Sequence, residues 1–170
     1  MPPISIIDRT LDYAKVDFSP SHHHPLRSRI ILASVVALAG SLLADAALVA
    51  IGTQAFPATK GYVHFTFFEY SRLTVVGVII ACLAWPVITR ISSAPQWLLF
   101  RLALSVTVVL LLPDVYLLMR GQSAQAVGVL ICMHLAIALV TFQALVRLAP
   151  VRERHDATTS REDIPTRTSA

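Results

Sequence analysis

Four long apolar segments constrain this chain more than any other feature of its sequence. An α-helix needs about 20 mostly apolar residues to span the hydrocarbon core of a bilayer. Backbone groups in lipid must find their hydrogen-bond partners within the protein, and these segments lack the alternation of membrane β-strands. The sequence therefore predicts an all-α integral membrane bundle of four transmembrane helices. The helices are expected at about 30–51, 72–90, 97–119 and 124–147.

Composition excludes a soluble fold of this size. Of the 170 residues, 55% are hydrophobic and 14% are charged, and the mean hydropathy is +0.67. Soluble domains carry about 25% charged residues. The net charge of +4 would suggest nucleic-acid binding in a soluble protein, but here the basic residues flank apolar segments. There is no RNA-binding or zinc-finger pattern, so the predicted partner is the lipid bilayer and not nucleic acid.

The distribution of basic residues predicts the orientation. An even number of spans places both termini on one side of the membrane. All of the 14 lysine and arginine residues except Lys60, Arg72 and Arg120 fall on that side or in the second loop. Short cytoplasmic segments are enriched in lysine and arginine. We therefore expect both termini in the cytoplasm and a multi-pass location in the cell (inner) membrane.

The segments that flank the predicted transmembrane domain, 30–148, are polar. In the lead, 1–29, apolar residues between Ile4 and Phe18 share one helical face, which is typical of a helix lying in the membrane plane. A disordered lead is an equally good interpretation. The tail, 149–170, has too few apolar residues to bury a core and is expected to be disordered.

The sequence indicates no cofactor, no metal and no catalytic residue. The adjacent histidines from His22 to His24 are a poor preformed site, because stable zinc sites take four ligands in a set geometry. Cys82 and Cys132 lie in separate apolar segments and are expected to be small packing residues. Phosphate-binding loops and the HExxH and GxSxG motifs are missing. These observations argue against an enzyme.

Three ionisable residues inside the spans form the candidate site. Asp45, Asp114 and His134 lie about 10, 9 and 13 Å from the outer ends of their helices at 1.5 Å per residue. Their similar depth predicts a shared cluster, and Arg72 at the start of the second span is expected to join it. Ionisable groups within a membrane are costly and often functional. A structural ion pair and a functional proton or ligand site both remain open.

Two further features concern the shape of the helices and the first loop. Pro86 and Pro113 each remove a backbone hydrogen bond and are expected to kink their helices. The first outer loop is rich in aromatic residues. Interfacial anchoring is the favoured role for them, and a loop folded over the mouth of the bundle is the alternative. The aromatic residues are Tyr62, Phe65, Phe67, Phe68 and Tyr70.

The order of these features resembles a known family. After a small-residue-rich first helix come a second helix containing Gly77, a third ending in Leu112-Pro113-Asp114 and a fourth containing Met133-His134-Leu135. This pattern, from about Ile30 to Leu148, is similar to that of small actinobacterial four-helix membrane proteins catalogued only as a domain of unknown function. The aromatic first loop departs from it. The resemblance implies fold and location but no mechanism.

Two functions follow as hypotheses. The leading one is a non-enzymatic structural or accessory component that packs against itself, as a homo-oligomer, or against a larger membrane complex, since small-residue stripes suit helix packing in lipid. The alternative is a small transporter or proton-conducting element that uses the buried aspartate and histidine residues.

Overall fold

The computed structural model describes residues 22–23 and 25–153. Within this part of the chain, four α-helices are each long and apolar enough to cross a membrane. This confirms the predicted all-α bundle of four transmembrane helices. The helices are α1, Arg27–Ala55; α2, Phe67–Ile91; α3, Pro95–Met119; and α4, Ala124–Leu148.

The first and last helices make the most extensive helix–helix contact in the bundle. α4 packs most extensively against α1 and then against α3, and α1 also packs against α2. We call the end with the long α1–α2 connection the loop end, and the opposite end, where the chain enters α1 and leaves α4, the terminal end. Because the helices alternate in direction, the two chain ends leave the bundle on the same side.

Close contact between α1 and α4 depends on two glycines. A Cβ atom on Gly52 would lie 2.7 Å from Val129 Cγ2, and one on Gly40 would lie 3.0 Å from Val140 Cγ1. Since real Cβ atoms do not approach other atoms as closely as the first of these distances, a side chain at Gly52 would push the helices apart. Small residues at such positions are a general means of helix packing in membranes.

The helix ends differ from the expected bounds mainly at the loop end. α1 continues to Ala55, and α2 begins at Phe67 rather than near Arg72. Phe67, Phe68 and Tyr70 thus lie in the first turn of α2, because no proline or glycine interrupts this part of the sequence. The remaining connection contains two short 3₁₀ turns, Pro57–Thr59 and Val63–Phe65, separated by Gly61 with a positive φ of 85°.

The two chain ends meet beside the bundle. His22–His23 and Arg152–Glu153 pair as two short antiparallel strands, β1 and β2. Ala149, at the start of the tail, is fully buried. The disorder expected of residues 149–170 stays a prediction. The predicted in-plane helix and the remaining tail lie outside the described residues.

Both prolines lie within continuous helix. α2 passes through Pro86 and α3 passes through Pro113 without a break in the helical assignment. Each proline nevertheless lacks the N–H that would bond the carbonyl four residues earlier, at Cys82 and Val109 respectively. The kinks at these positions stay a prediction.

Apolar residues fill the half of the bundle near the terminal end. Trp85 is the largest fully buried side chain there, and its Nε1 donates to the carbonyl oxygen of Ala149 over 3.1 Å. A second apolar cluster lies near the loop end and includes Phe65 from the connection itself. The first cluster consists of Ala33, Trp85, Ile88, Leu99, Leu145 and Ala149.

Candidate functional site

Asp114 and His134 are in direct contact between α3 and α4. His134 Nδ1 lies 3.0 Å from Asp114 Oδ2, and the side chains are 23% and 5% exposed, respectively. A short turn at the loop end joins α3 to α4. Residues near the end of α3 therefore lie at the same depth in the bundle as residues in the first half of α4. The sequence-based expectation that these two residues share a site thus has a direct geometric counterpart.

The histidine ring also contacts its own helix. Nδ1 lies 3.0 Å from the carbonyl oxygen of Leu130, one turn earlier in α4. A carbonyl can only accept a hydrogen bond, so a proton on Nδ1 would be shared between the Leu130 carbonyl and Asp114 Oδ2, each 3.0 Å away. Asp114 Oδ2 is buried, and the His134 ring is its polar neighbour among the described residues.

Asp45 is held by the second helix. The side chain of Asp45 is on α1 and is fully buried, and its Oδ2 accepts a 2.6 Å hydrogen bond from the hydroxyl of Thr74 on α2. The other carboxylate oxygen, Oδ1, is buried and has no hydrogen-bond partner within the described part of the chain. One half of this carboxylate is therefore fixed, and the other half is left for water, a proton or a ligand.

His134 contacts Asp114 directly and acts on Asp45 only at longer range, through electrostatic interaction. We call Asp45, Thr74, Asp114 and His134 the polar cluster; each of the four helices contributes one residue to it. Two carboxylates and one imidazole cannot form a balanced ion pair, because one carboxylate remains in excess even when the imidazole is protonated.

Polar side chains continue for one turn below the cluster, and further buried ones, Thr89 and Ser92, lie at the terminal end of α2. Ser41, one turn before Asp45, and Thr141 on α4 have their hydroxyl oxygens 3.4 Å apart, and both residues are buried. Thr107 on α3 donates instead to the carbonyl of Ala103 in its own helix. Beyond this level the interior is the apolar cluster around Trp85. The buried ionisable side chains, Asp45 and Asp114, are thus confined to the part of the bundle near the loop end, with an apolar cluster between them and the terminal end.

The first loop folds over this region. Phe65 is buried against α4, and Tyr62 packs against the same cluster of residues, with their rings edge to face. The hydroxyl oxygen of Tyr62 is buried and lacks a hydrogen-bond partner among the described residues. Burial, followed by the nearby negative charge of Asp114, raises the pKa of the Tyr62 hydroxyl. Tyr62 therefore lies between the cluster and the loop end.

The aromatic loop combines the two roles that the sequence left open. Phe67 and Phe68 are exposed on the outside of α2, as interfacial anchors are. Tyr62 and Phe65 point inward and close the mouth of the bundle. Interfacial anchoring, the favoured role for all the aromatic residues of the loop, therefore fits Phe67 and Phe68. It does not fit Tyr62 and Phe65, because their packing against the bundle removes them from the headgroup region.

Arg72 does not join the polar cluster. Its side chain is 75% exposed and its guanidinium lies 3.8 Å from the carboxylate of Glu69, one turn earlier in α2. A long charged side chain near a helix end reaches water more favourably than it enters an apolar interior. The proposed contact of Arg72 with Asp45 or Asp114 is therefore corrected, and the cluster contains no arginine or lysine.

Two members of the site were missed in the sequence. Thr74 lies at the depth of Asp45, one turn before the Gly77–Ala81 face, and a polar residue at that depth was the available signal. Tyr62 had no signal beyond its place in the aromatic loop. The described residues contain no group of three or more histidine, cysteine or acidic side chains that could hold a metal ion.

Comparison of the chain with protein-family models, curated proteins and solved structures gives no match. The similarity to actinobacterial four-helix proteins remains a resemblance based on short motifs. The function is accordingly argued from the chemistry of the polar cluster and its surroundings.

Proposed function

We propose that this protein is a multi-pass protein of the cell (inner) membrane in which the polar cluster binds and releases a proton from the outer side. The cluster is the coupling site of a small transporter or proton-conducting element, and the protein has no enzymatic activity. The observation that carries the proposal is the contact of Asp114 with His134 inside an apolar bundle.

The composition of the cluster favours a proton site over a purely structural ion pair. A structural pair matches one acid with one base, whereas Asp45 is an additional buried acid within electrostatic reach of the same imidazole. A charge near the centre of a membrane helix costs about 2.5–3.5 kcal/mol on insertion scales. A bound proton removes the excess negative charge and requires no space, so it is the ligand that fits this cluster best.

The orientation supports an outward-facing site. The helix ends at the terminal end carry Arg27, Arg29, Arg90 and Arg147, and arginine-rich ends favour the cytoplasmic side. The loop end would then face outward, with Tyr62 between the cluster and outer water. Because the apolar cluster around Trp85 fills the other half of the bundle, protons would cross only when that half opens. The proposal therefore predicts slow, carrier-like proton movement and not an open pore.

Proteoliposomes test this proposal. The purified protein is reconstituted with a pH-sensitive dye inside, and a pH gradient is applied across the membrane. We expect wild-type protein to dissipate the gradient faster than empty vesicles, and Asp114→Asn and Asp45→Asn to fall to the empty-vesicle rate. Glu69→Gln is the matched control, since it removes a carboxylate at the loop end outside the cluster, and it should keep the wild-type rate.

Thermal unfolding in detergent separates loss of function from loss of structure. Proton movement at the wild-type rate in folded Asp114→Asn and Asp45→Asn would reject the proposal. If one variant does not fold, the other decides the question, because the two residues lie on different helices and make different contacts.

A second candidate function is the accessory role, and one observation favours it. Three small residues, Ala124, Gly128 and Cys132, are spaced four apart on α4 and form a stripe that is not used for packing within the described part of the chain. Ala124 and Cys132 are exposed, and a Cβ atom on Gly128 would meet nothing within 4 Å. Such a stripe suits close approach of another helix in the membrane. The occupant would be a second copy of this chain or a larger membrane complex.

Cysteine cross-linking tests the homo-oligomer form of this candidate. In a Cys82→Ser background, mild oxidation in native membranes should join two chains through Cys132, and Gly128→Leu should reduce the cross-linked fraction severalfold. A chain that stays monomeric under oxidation and in native mass spectrometry would contradict the homo-oligomer. Recovery of a stoichiometric companion protein in mild detergent would identify the larger complex instead.

A further inference from the structure

A groove runs between α1 and α4 in the half of the bundle nearer the terminal end. Val36 and Gly40 form the α1 wall, Leu139 and Ala144 lie on the α4 wall, and the groove is open to the outside of the bundle, with a volume of about 470 Å³. At Gly40 the two walls meet closely, since a Cβ atom there would lie 3.0 Å from Val140 Cγ1. The volume falls within the roughly 300–1,000 Å³ that is usual for small-ligand sites.

Two residues with polar side chains border the groove. Gln143 and Arg147 also line it, one helical turn apart on α4, and Arg147 lies in the last turn of that helix. The Arg147 side chain is exposed and forms no ion pair with the described residues. Arg27 and Arg29 begin α1 at the same end of the bundle. The lining surface is almost wholly apolar, so the groove is an apolar channel with the exposed side chain of Arg147 beside it.

We propose that this groove binds one anionic phospholipid, with an acyl chain along the apolar walls and the phosphate at Arg147. Basic residues between transmembrane helices at the membrane surface recognise anionic headgroups. A guanidinium matches phosphate in geometry, since it can donate two parallel hydrogen bonds. A soluble anion would use only Arg147 and leave the apolar walls empty, whereas a phospholipid uses both parts of the groove.

The lipid site is independent of the proton site. Its lining lies toward the terminal end, away from Asp45, Asp114 and His134. The proposal also holds for either orientation of the bundle, since it requires only that Arg147 lies at a membrane surface. Binding at the α1–α4 contact would bridge the two helices that make the most extensive contact in the bundle.

Native mass spectrometry tests the lipid site. The protein is reconstituted in vesicles with equal parts of phosphatidylglycerol and phosphatidylcholine, released into mild detergent, and its retained lipids are identified. We expect wild-type protein to retain phosphatidylglycerol in preference to phosphatidylcholine, and Arg147→Gln to reduce that preference about fivefold. Arg90→Gln is the matched control: it removes the same charge at the same end but outside the groove, and it should keep the preference.

A second pair of variants tests the apolar part of the groove. Val36→Trp fills the groove and should lower lipid retention, whereas Val35→Trp places the same ring beside it and should not. Equal retention of the two lipids by wild-type protein would overturn the proposal. So would an equal loss in Arg147→Gln and Arg90→Gln, which would indicate general surface charge. Proton movement in proteoliposomes should be unchanged in all four variants, so failure of one proposal is distinguishable from failure of the other.

Discussion

In the half of the bundle near the terminal end, Trp85 is fully buried and its Nε1 donates to a backbone carbonyl. In the half near the loop end, Asp45 Oδ1 and Tyr62 Oη are buried without a hydrogen-bond partner among the described residues, and Asp114 Oδ2 has the His134 ring as its polar neighbour. A buried polar atom without a partner costs about 1–3 kcal/mol. The first half is therefore built for stability, while the second keeps polar atoms that destabilise it unless water, a proton or a ligand binds them.

This difference explains why the two halves should respond differently to substitution. Changes near the terminal end should affect the free energy of unfolding and leave proton binding intact. Changes near the loop end should affect proton binding, and their cost in stability should depend on which charges remain.

The largest effect on stability is expected at Trp85. Trp85→Ala leaves a cavity in the apolar cluster and should lower the free energy of unfolding by about 4 kcal/mol. Denaturant-induced unfolding in detergent micelles measures the change. Proton movement per folded molecule should not fall, because Trp85 belongs to the apolar barrier and not to the group that binds the proton. Loss of proton movement in folded Trp85→Ala would show that the two halves do not act separately.

The next largest effect is expected at His134. His134→Leu leaves two buried acids without a base and should lower the free energy of unfolding by about 3 kcal/mol. This value is at the low end of the range for breaking a buried ion pair, because the His134 ring is partly exposed. The double variant Asp114→Leu/His134→Leu removes one acid as well and should recover most of that loss. Unfolding curves of Asp114→Leu, His134→Leu and the double variant give the coupling free energy between the two side chains. Simple addition of the two losses would contradict a direct interaction.

A smaller effect is expected at Thr74. Thr74→Val removes the hydroxyl that donates to Asp45 and should cost about 1–2 kcal/mol, since hydrogen bonds to charged groups are among the stronger ones. Thr107→Val is the matched control, because that hydroxyl bonds only the backbone of its own helix, and it should change stability by less than about 0.5 kcal/mol. Equal losses in the two variants would mean that Thr74 does not hold Asp45.

The smallest effect is expected at Tyr62 and depends on pH. The pKa of Tyr62 is raised above the ordinary tyrosine value of about 10, so the folded state holds this proton more tightly than the unfolded state. Its contribution to stability is then complete below about pH 10 and is lost as the pH rises further. Tyr62→Phe should reduce this alkaline loss and change stability at neutral pH by less than about 1 kcal/mol.

Unfolding across an alkaline pH series measures the effect of Tyr62→Phe. Tyr116→Phe is the control, since that side chain is exposed on α3. An alkaline loss that is the same in wild type and Tyr62→Phe would show that the Tyr62 hydroxyl does not sense the folded environment.

The sequence was sufficient for the bundle because each apolar segment is long enough to specify a spanning helix by itself. It was also informative about Asp114 and His134: the short turn between their helices makes residues at similar distances from that turn face the same level. These are local constraints, and counting residues along a helix is enough to apply them.

The remaining parts of the site depend on how the helices are rotated and how the loop folds, and counting residues does not reveal either. Arg72 is near the right level but its side chain faces water, where Glu69 and solvent stabilise its charge. Thr74 contacts Asp45 only because α2 turns that face toward α1. Tyr62 reaches the cluster because Pro57 and Gly61 bend the loop inward, a result of several turns that no single motif indicates.

The central claim is that the polar cluster holds a proton that exchanges with water, and infrared difference spectroscopy tests it most directly. Spectra of the purified protein are recorded across a pH titration, and the carbonyl band of a protonated carboxylic acid is followed. The account predicts a band that is present in wild type and in Glu69→Gln and is lost in the double variant Asp45→Asn/Asp114→Asn. Identical titrations in wild type and the double variant would contradict it.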